Sequence, residues 1–139
     1  MSTHDLSTLK AGDALPTLTT GPITPLTLAL FAGGSGDHNP IHVDKAFAAS
    51  AGFPDVFAHG MLSMAYLGRA LTDWAGATAV RQFGVRFAAI TPVGASVACD
   101  GLVEQIVEQE GERLAKLTLR ATVVDGPVTL VGDALVRIG

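Results

Sequence analysis

Residues Gly36 to Asp44 read Gly-Asp-His-Asn-Pro-Ile-His-Val-Asp and hold the chemistry this chain can offer. Asp37 and His42 both move protons and lie five positions apart. A carboxylate and an imidazole held on one substrate can act as general acid and general base, each contributing ~10²–10⁴-fold. Between them, Pro40 fixes its own φ and restricts Asn39 to extended shapes, so the loop can hold both heads in one geometry. Asn39 could orient a water or tether the loop. The sequence leaves open which of Asp37 and His42 is acid and which is base, because coupled groups titrate as a pair.

A metal centre is the natural rival for clustered Asp and His. Asp37, His42 and Asp44 could supply ligands, but no second His stands at i+4 on a helix and no Cys joins them. We therefore expect no metal and no redox cofactor, with Asp44 as a helix cap. His38 is expected to make local or solvent contacts. His59 is expected to support a helix start rather than the chemistry, and His4 to lie in a loose terminus. Cys99, the single cysteine, is expected as a buried small apolar residue.

These residues need elements to position them. Lys10-Ala11-Gly12-Asp13 reads as a turn and Leu15 to Thr20 as a short strand. Thr24-Pro25 starts a helix, because Thr caps free N–H groups and Pro is tolerated in the first turn. That helix is expected to break at Gly33-Gly34, with the 36–44 stretch following as a loop. Asp44 caps a second short helix ending at Gly52, and Pro54 marks another loop. From Gly60 to Trp74, apolar residues surround most of a helix's circumference, the pattern of a buried helix. In the second half, Arg81 to Ile90 and Ala115 to Val123 alternate with period two, as half-buried strands do. Val93 to Glu108 and Val128 to Ile138 read as more central strands. Gly111 and Asp125-Gly126 punctuate antiparallel hairpins. The expectation is an α+β fold, an antiparallel sheet curled round the helix at 60–74.

Composition narrows the classes. A chain of 139 residues suits one domain, 1–139, and 48% hydrophobic residues against 16% charged ones give ample core material. Net charge is −4, with no basic cluster, so nucleic acid is not expected as a partner. Ala14 to Gly36 carries no charge, but Pro16, Pro22, Pro25 and several Thr argue against a membrane span. The first residues show no basic region and no long apolar core, so the expectation is a soluble cytoplasmic protein.

With the motif, the buried helix and the trailing sheet in view, the chain resembles the MaoC-like (R)-specific enoyl-CoA hydratases and 3-hydroxyacyl thioester dehydratases of the hot dog fold. The resemblance rests on Ser35 to Asp44, on Ala58-His59-Gly60-Met61-Leu62, and on Val85-Arg86-Phe87 with Pro92-Val93. Asp-x-Asn-Pro-x-His is a specific spacing, and no fixed position of it departs here. The resemblance implies reversible addition of water across the 2,3 double bond of an enoyl thioester. It carries the catalytic pair onto Asp37 and His42, substrate contact onto Asn39, and the oxyanion donor onto the backbone N–H of Gly60.

Local chemistry agrees with that last assignment. The helix at Gly60 begins without a Ser, Thr or Asp cap, so its first N–H groups need partners. A glycine lets a ligand approach closely, and a helix start favours negative charge. The implied substrate is an acyl-CoA or acyl-carrier-protein thioester, and the implied assembly a homodimer or a pair with another hot dog subunit. A hot dog thioesterase and the catalytic half of a heteromeric dehydratase are the alternatives. Arg86 and Arg120 could meet a phosphate of coenzyme A, although a solvated sheet face is the simpler reading.

Overall fold

Two short helices lead into a long third one, and an antiparallel sheet wraps its inner side. The computed structural model describes residues 5–139; His4 lies outside the described residues. In chain order the elements are β1 (Leu18–Thr19), α1 (Pro25–Ser35), a 3-10 turn (Pro40–His42), α2 (Lys45–Ser50), α3 (Gly60–Ala75), a second 3-10 turn (Ala77–Ala79), β2 (Val80–Phe87), β3 (Val97–Gln109), β4 (Glu112–Val123) and β5 (Val128–Arg137). The strands run in the order β1-β3-β4-β5-β2, every neighbour antiparallel. The β3–β4 turn places Glu110 and Gly111 at positive φ, and Asp125 does the same after β4. Gly111 and Asp125 are where turn residues were expected; Glu110 was not foreseen.

The period-two reading of β4 holds. Ala115, Leu117, Leu119 and Ala121 are buried, while Lys116, Thr118 and Arg120 face solvent. Arg120 pairs with Asp100 across the β3–β4 ladder at 2.8 Å, as a solvated sheet face would. The inner face of the sheet meets Leu62, Leu67, Leu71 and Trp74 of α3 in one core with Leu15, Ile23 and Leu28. Cys99 sits fully buried in that core.

Four expectations need correction. First, α1 does not break at Gly33-Gly34; it runs to Ser35 and stops at Gly36, whose φ of 78° ends the helix. Glycine weakens a helix by about 1 kcal/mol relative to alanine but does not forbid it, whereas a positive φ does end it. Its start is as expected, and Thr24 and Thr27 cap one another reciprocally. Second, Leu15 to Thr20 yields only a two-residue strand. Third, two strand boundaries move: a turn at Val93-Gly94 delays β3 to Val97, and β2 stops at Phe87 rather than running to Ile90. Fourth, α3 is buried on one side only. Met61 is 54% exposed and Ala65 also faces outward, because a single five-stranded sheet covers only the inner face.

Candidate active site

The 36–44 stretch is shaped by its own side chains. The Asp37 N–H donates to Ser35 Oγ at 3.2 Å. Asp37 Oδ1 accepts from the Asn39 N–H at 3.2 Å, and Asn39 Oδ1 accepts from the Ile41 N–H at 3.1 Å. Such Asx turns let a carboxylate or amide stand in for backbone hydrogen bonding. The segment expected as a plain loop therefore contains a 3-10 turn, with Asn39 as its cap. The Asp44 N–H closes it onto the Pro40 carbonyl at 2.8 Å, and Asp44 Oδ1 then caps α2 by accepting from the Phe47 N–H.

This local order aims His42 inward. Its ring is buried, and Nδ1 lies 2.7 Å from the Phe57 carbonyl oxygen. A carbonyl only accepts, so Nδ1 carries the proton and Nε2 presents a lone pair. That Nε2 faces Asp37 Oδ2 at 4.0 Å, and the Asp37 side chain is half exposed. The two expected catalytic groups thus converge. One is sheltered and one is open to solvent, with a separation longer than a direct hydrogen bond.

His59 joins them, which the sequence reading missed. It is buried at the N-cap of α3, and its ring stacks on His42 at 3.9 Å with 26° between the planes. Its Nε2 lies 3.2 Å from the Asp37 carbonyl oxygen, and Phe31 closes its other side edge-on. Burial pushes the His59 pKa below the usual imidazole value; the hydrogen bond to the Asp37 carbonyl opposes this in part. The neutral ring is thereby favoured over the imidazolium. The one signal in the sequence was a histidine in the cap position of an otherwise uncapped helix.

Asp37, His42 and His59 each bring one possible metal-ligand atom within 4.8 Å of the others. His59 thus stands where the sequence-based metal alternative had put Asp44, which is engaged at α2. One nitrogen of each imidazole already faces a backbone carbonyl. His38 is exposed, as expected.

Gly60 opens α3, is itself exposed, and no side-chain hydrogen bond caps the helix. A Cβ added at Gly60 would stand 2.8 Å from Cδ1 and Cε1 of Phe87. A cavity of about 330 Å³ opens beside it, lined by Phe57, Gly60, Ser63, Phe87, Thr91 and Thr129 among others. Asp37 and His42 do not line this cavity. Phe57 joins the two regions: its carbonyl holds His42 and its ring forms cavity wall, 5.2 Å centre to centre from the His42 ring. Arg86 is exposed on β2, with no ion pair found for it among the described residues.

The profile of the MaoC like domain family matches residues 9–125. The enoyl-CoA hydratase ChsH3 of Mycobacterium tuberculosis is 35% identical over 118 residues, 83% of this chain but only 38% of that protein. The 3-hydroxyacyl-thioester dehydratase Z of the same species is 36% identical over 125 residues, 83% of this chain and 82% of the relative. The (R)-specific enoyl-CoA hydratase of Aeromonas caviae is 30% identical over 111 residues, 80% of this chain and 83% of the relative. A solved (R)-hydratase structure from A. caviae superposes with a TM-score of 0.82 at 27% identity, covering 95% of this chain and 98% of that one. The helix wrapped by an antiparallel sheet is thus the hot dog fold expected from the resemblance.

Proposed function

Because the chain belongs to the family of MaoC-like domains, we propose that it is a hydro-lyase that reversibly hydrates trans-2-enoyl thioesters to (R)-3-hydroxyacyl thioesters. The observation that carries this reading is the pairing of Asp37 Oδ2 with a lone pair on His42 Nε2 across 4.0 Å. A water between two acceptors can donate one hydrogen bond to each, which orients its remaining lone pairs toward a substrate carbon. In hydration, the water's oxygen bonds to C3 while the pair takes its proton. One proton returns from the pair to C2, so the sum is one water added across the double bond.

As the C3–O bond forms, electron density moves onto the thioester oxygen. The Gly60 N–H at the start of α3 is the donor assigned to that charge, where the helix dipole also favours it. Ser63, Thr91 and Thr129 form the buried part of the cavity beside Gly60, while Phe87 and Ile90 form its exposed rim. The Asn39 carbonyl oxygen is committed to the loop, so its amide N–H groups are the part available to water or substrate. No step of this scheme calls for a metal or redox cofactor.

The proposal takes the chain as one domain, 1–139, acting in the cytoplasm on a coenzyme A or acyl-carrier-protein thioester. No helix among the described residues is long and apolar enough to cross a membrane. We further propose that it works as a homodimer, or paired with another hot dog subunit. β2 is an edge strand, paired with β5 on one side and with no strand of the described residues on the other, and Met61 and Phe87 stand exposed near the site; such edges favour pairing.

The test is loss of the conjugated enoyl absorbance on short, medium and long enoyl-CoA substrates, followed by chiral analysis of the product. The (R)-3-hydroxyacyl thioester is expected. Release of free thiol without hydration would instead indicate a thioesterase. No change with any of these thioesters, carried on coenzyme A or on acyl carrier protein, would refute the proposal.

A further inference from the structure

We infer that His59 is a positioning residue for the acid/base pair, holding Asp37 by its backbone and His42 by its ring face. The inference rests on the catalytic assignment of Asp37 and His42 above. Asp37 and His42 belong to one short segment, and their turns fix that segment locally. Local turns do not fix it relative to α3, where Gly60 supplies the oxyanion donor. Something must set the distance between the proton-moving groups and the helix start.

His59 is the residue placed to do so. As the N-cap of α3, it is covalently next to Gly60. With the Asp37 carbonyl as acceptor, the ring must be the Nε2–H tautomer, and it donates across a sequence separation of 22 residues. The same ring lies nearly parallel to the His42 imidazole at 3.9 Å, while His42 is pinned from its other nitrogen by Phe57. Phe31 of α1 packs edge-on at 4.8 Å and confines the ring from a third side. His59 therefore ties three elements, α1, the 36–44 segment and α3, at one point.

The remaining nitrogen, Nδ1, is buried and finds no hydrogen-bond partner among the described residues. An unpaired buried acceptor costs free energy, and a purely structural position would ordinarily be filled by an apolar ring. The histidine is explained by what its other nitrogen does to Asp37. Its neutral state, favoured by burial, also avoids placing a second cation against His42 when that ring takes a proton.

Two substitutions separate the ring from its donor. His59→Phe keeps an aromatic ring against His42 and Phe31 but loses the N–H. His59→Gln loses the ring but keeps an amide N–H at similar reach. With saturating enoyl-CoA, His59→Phe is expected to lower kcat by ~10- to 100-fold, the scale of a small misplacement of reacting groups. KM should stay within about threefold, because substrate contacts lie elsewhere. His59→Gln should recover most of the lost kcat. Wild-type kcat in His59→Phe would overturn the inference, as would equal loss in both folded variants. Nitrogen-15 NMR of the wild-type ring gives a reading independent of variant folding and of turnover. It should show a protonated Nε2 and bare Nδ1 for His59 at pH 7; the opposite tautomer would overturn the inference. A wild-type protein that hydrates no enoyl thioester would mark failure of the proposed function, and the NMR result would still decide the contact between His59 and Asp37.

Discussion

Replacing Gly60 by alanine should separate stability from activity. The new Cβ would lie 2.8 Å from two carbons of the Phe87 ring, and ordinary contact begins near 3.4 Å, so the ring must retreat by about 0.6 Å. Phe87 is 52% exposed at the end of β2, so little packing resists that movement. Turning its side chain off its preferred rotamer costs about 0.5–1.5 kcal/mol. At the first residue of α3, alanine returns only part of the ~1 kcal/mol it gains in a helix interior. The two offset in part, and the melting temperature should change by no more than about 4 °C. The cavity is affected differently. The added methyl and the displaced ring both stand on its wall, beside the N–H assigned to the thioester oxygen. That N–H survives, so the loss should fall short of the ~10²–10³-fold seen when an oxyanion donor is deleted outright. We expect kcat/KM to fall ~10- to 100-fold, as for a substrate held slightly out of place. The assay is enoyl-CoA hydration followed by absorbance, beside a thermal melt. Unimpaired kcat/KM would refute the placement of substrate at the start of α3. A collapse in melting temperature would refute the argument that Phe87 yields.

Other expectations follow from single contacts. Asn39→Ala removes the cap on the Ile41 N–H, at a cost of about 1 kcal/mol. It should also slow turnover about tenfold by loosening His42; no change in either melt or rate would remove Asn39 from the loop's support. Burial pushes the Cys99 thiol up to about 11, so at pH 8 roughly one thiol in a thousand is ionised. An aromatic disulfide reagent should then react only after unfolding, and rapid reaction with the native protein would contradict the buried placement. The His59 pKa is lowered in the folded state, so folded and unfolded forms are both neutral only well above the ordinary value of 6.5. Below that, the unfolded chain takes a proton the folded one resists, and stability falls until pH passes the folded value. Denaturant midpoints between pH 7.5 and 5 should therefore decline more steeply for wild type than for His59→Phe; equal slopes would contradict this.

What could be read from the sequence was what depends on near neighbours. Thr24 with Pro25, Asp44, Gly111 and Asp125 act within a few residues, so their roles followed from local chemistry alone. The convergence of Asp37 and His42 was legible for the same reason, because one short stiffened segment holds both. The period of β4 was legible because one of its faces is buried and the other solvated. His59 was not, because its contact with Asp37 crosses 22 residues and depends on where α3 docks. The exposed side of α3 was also hidden: its apolar circumference reads as burial, but how far a sheet wraps a helix is a tertiary property. The run through Gly33-Gly34 shows tertiary support outweighing a weak local preference.

The central claim is that Asp37 and His42 together move the protons of enoyl thioester hydration. The most direct measurement is kcat for Asp37→Asn, which is nearly isosteric and keeps an oxygen able to accept from the Asn39 N–H. With folding verified by circular dichroism and an unchanged melt, kcat should fall by at least ~10²-fold. A folded Asp37→Asn that hydrates enoyl-CoA at close to the wild-type rate would contradict the account.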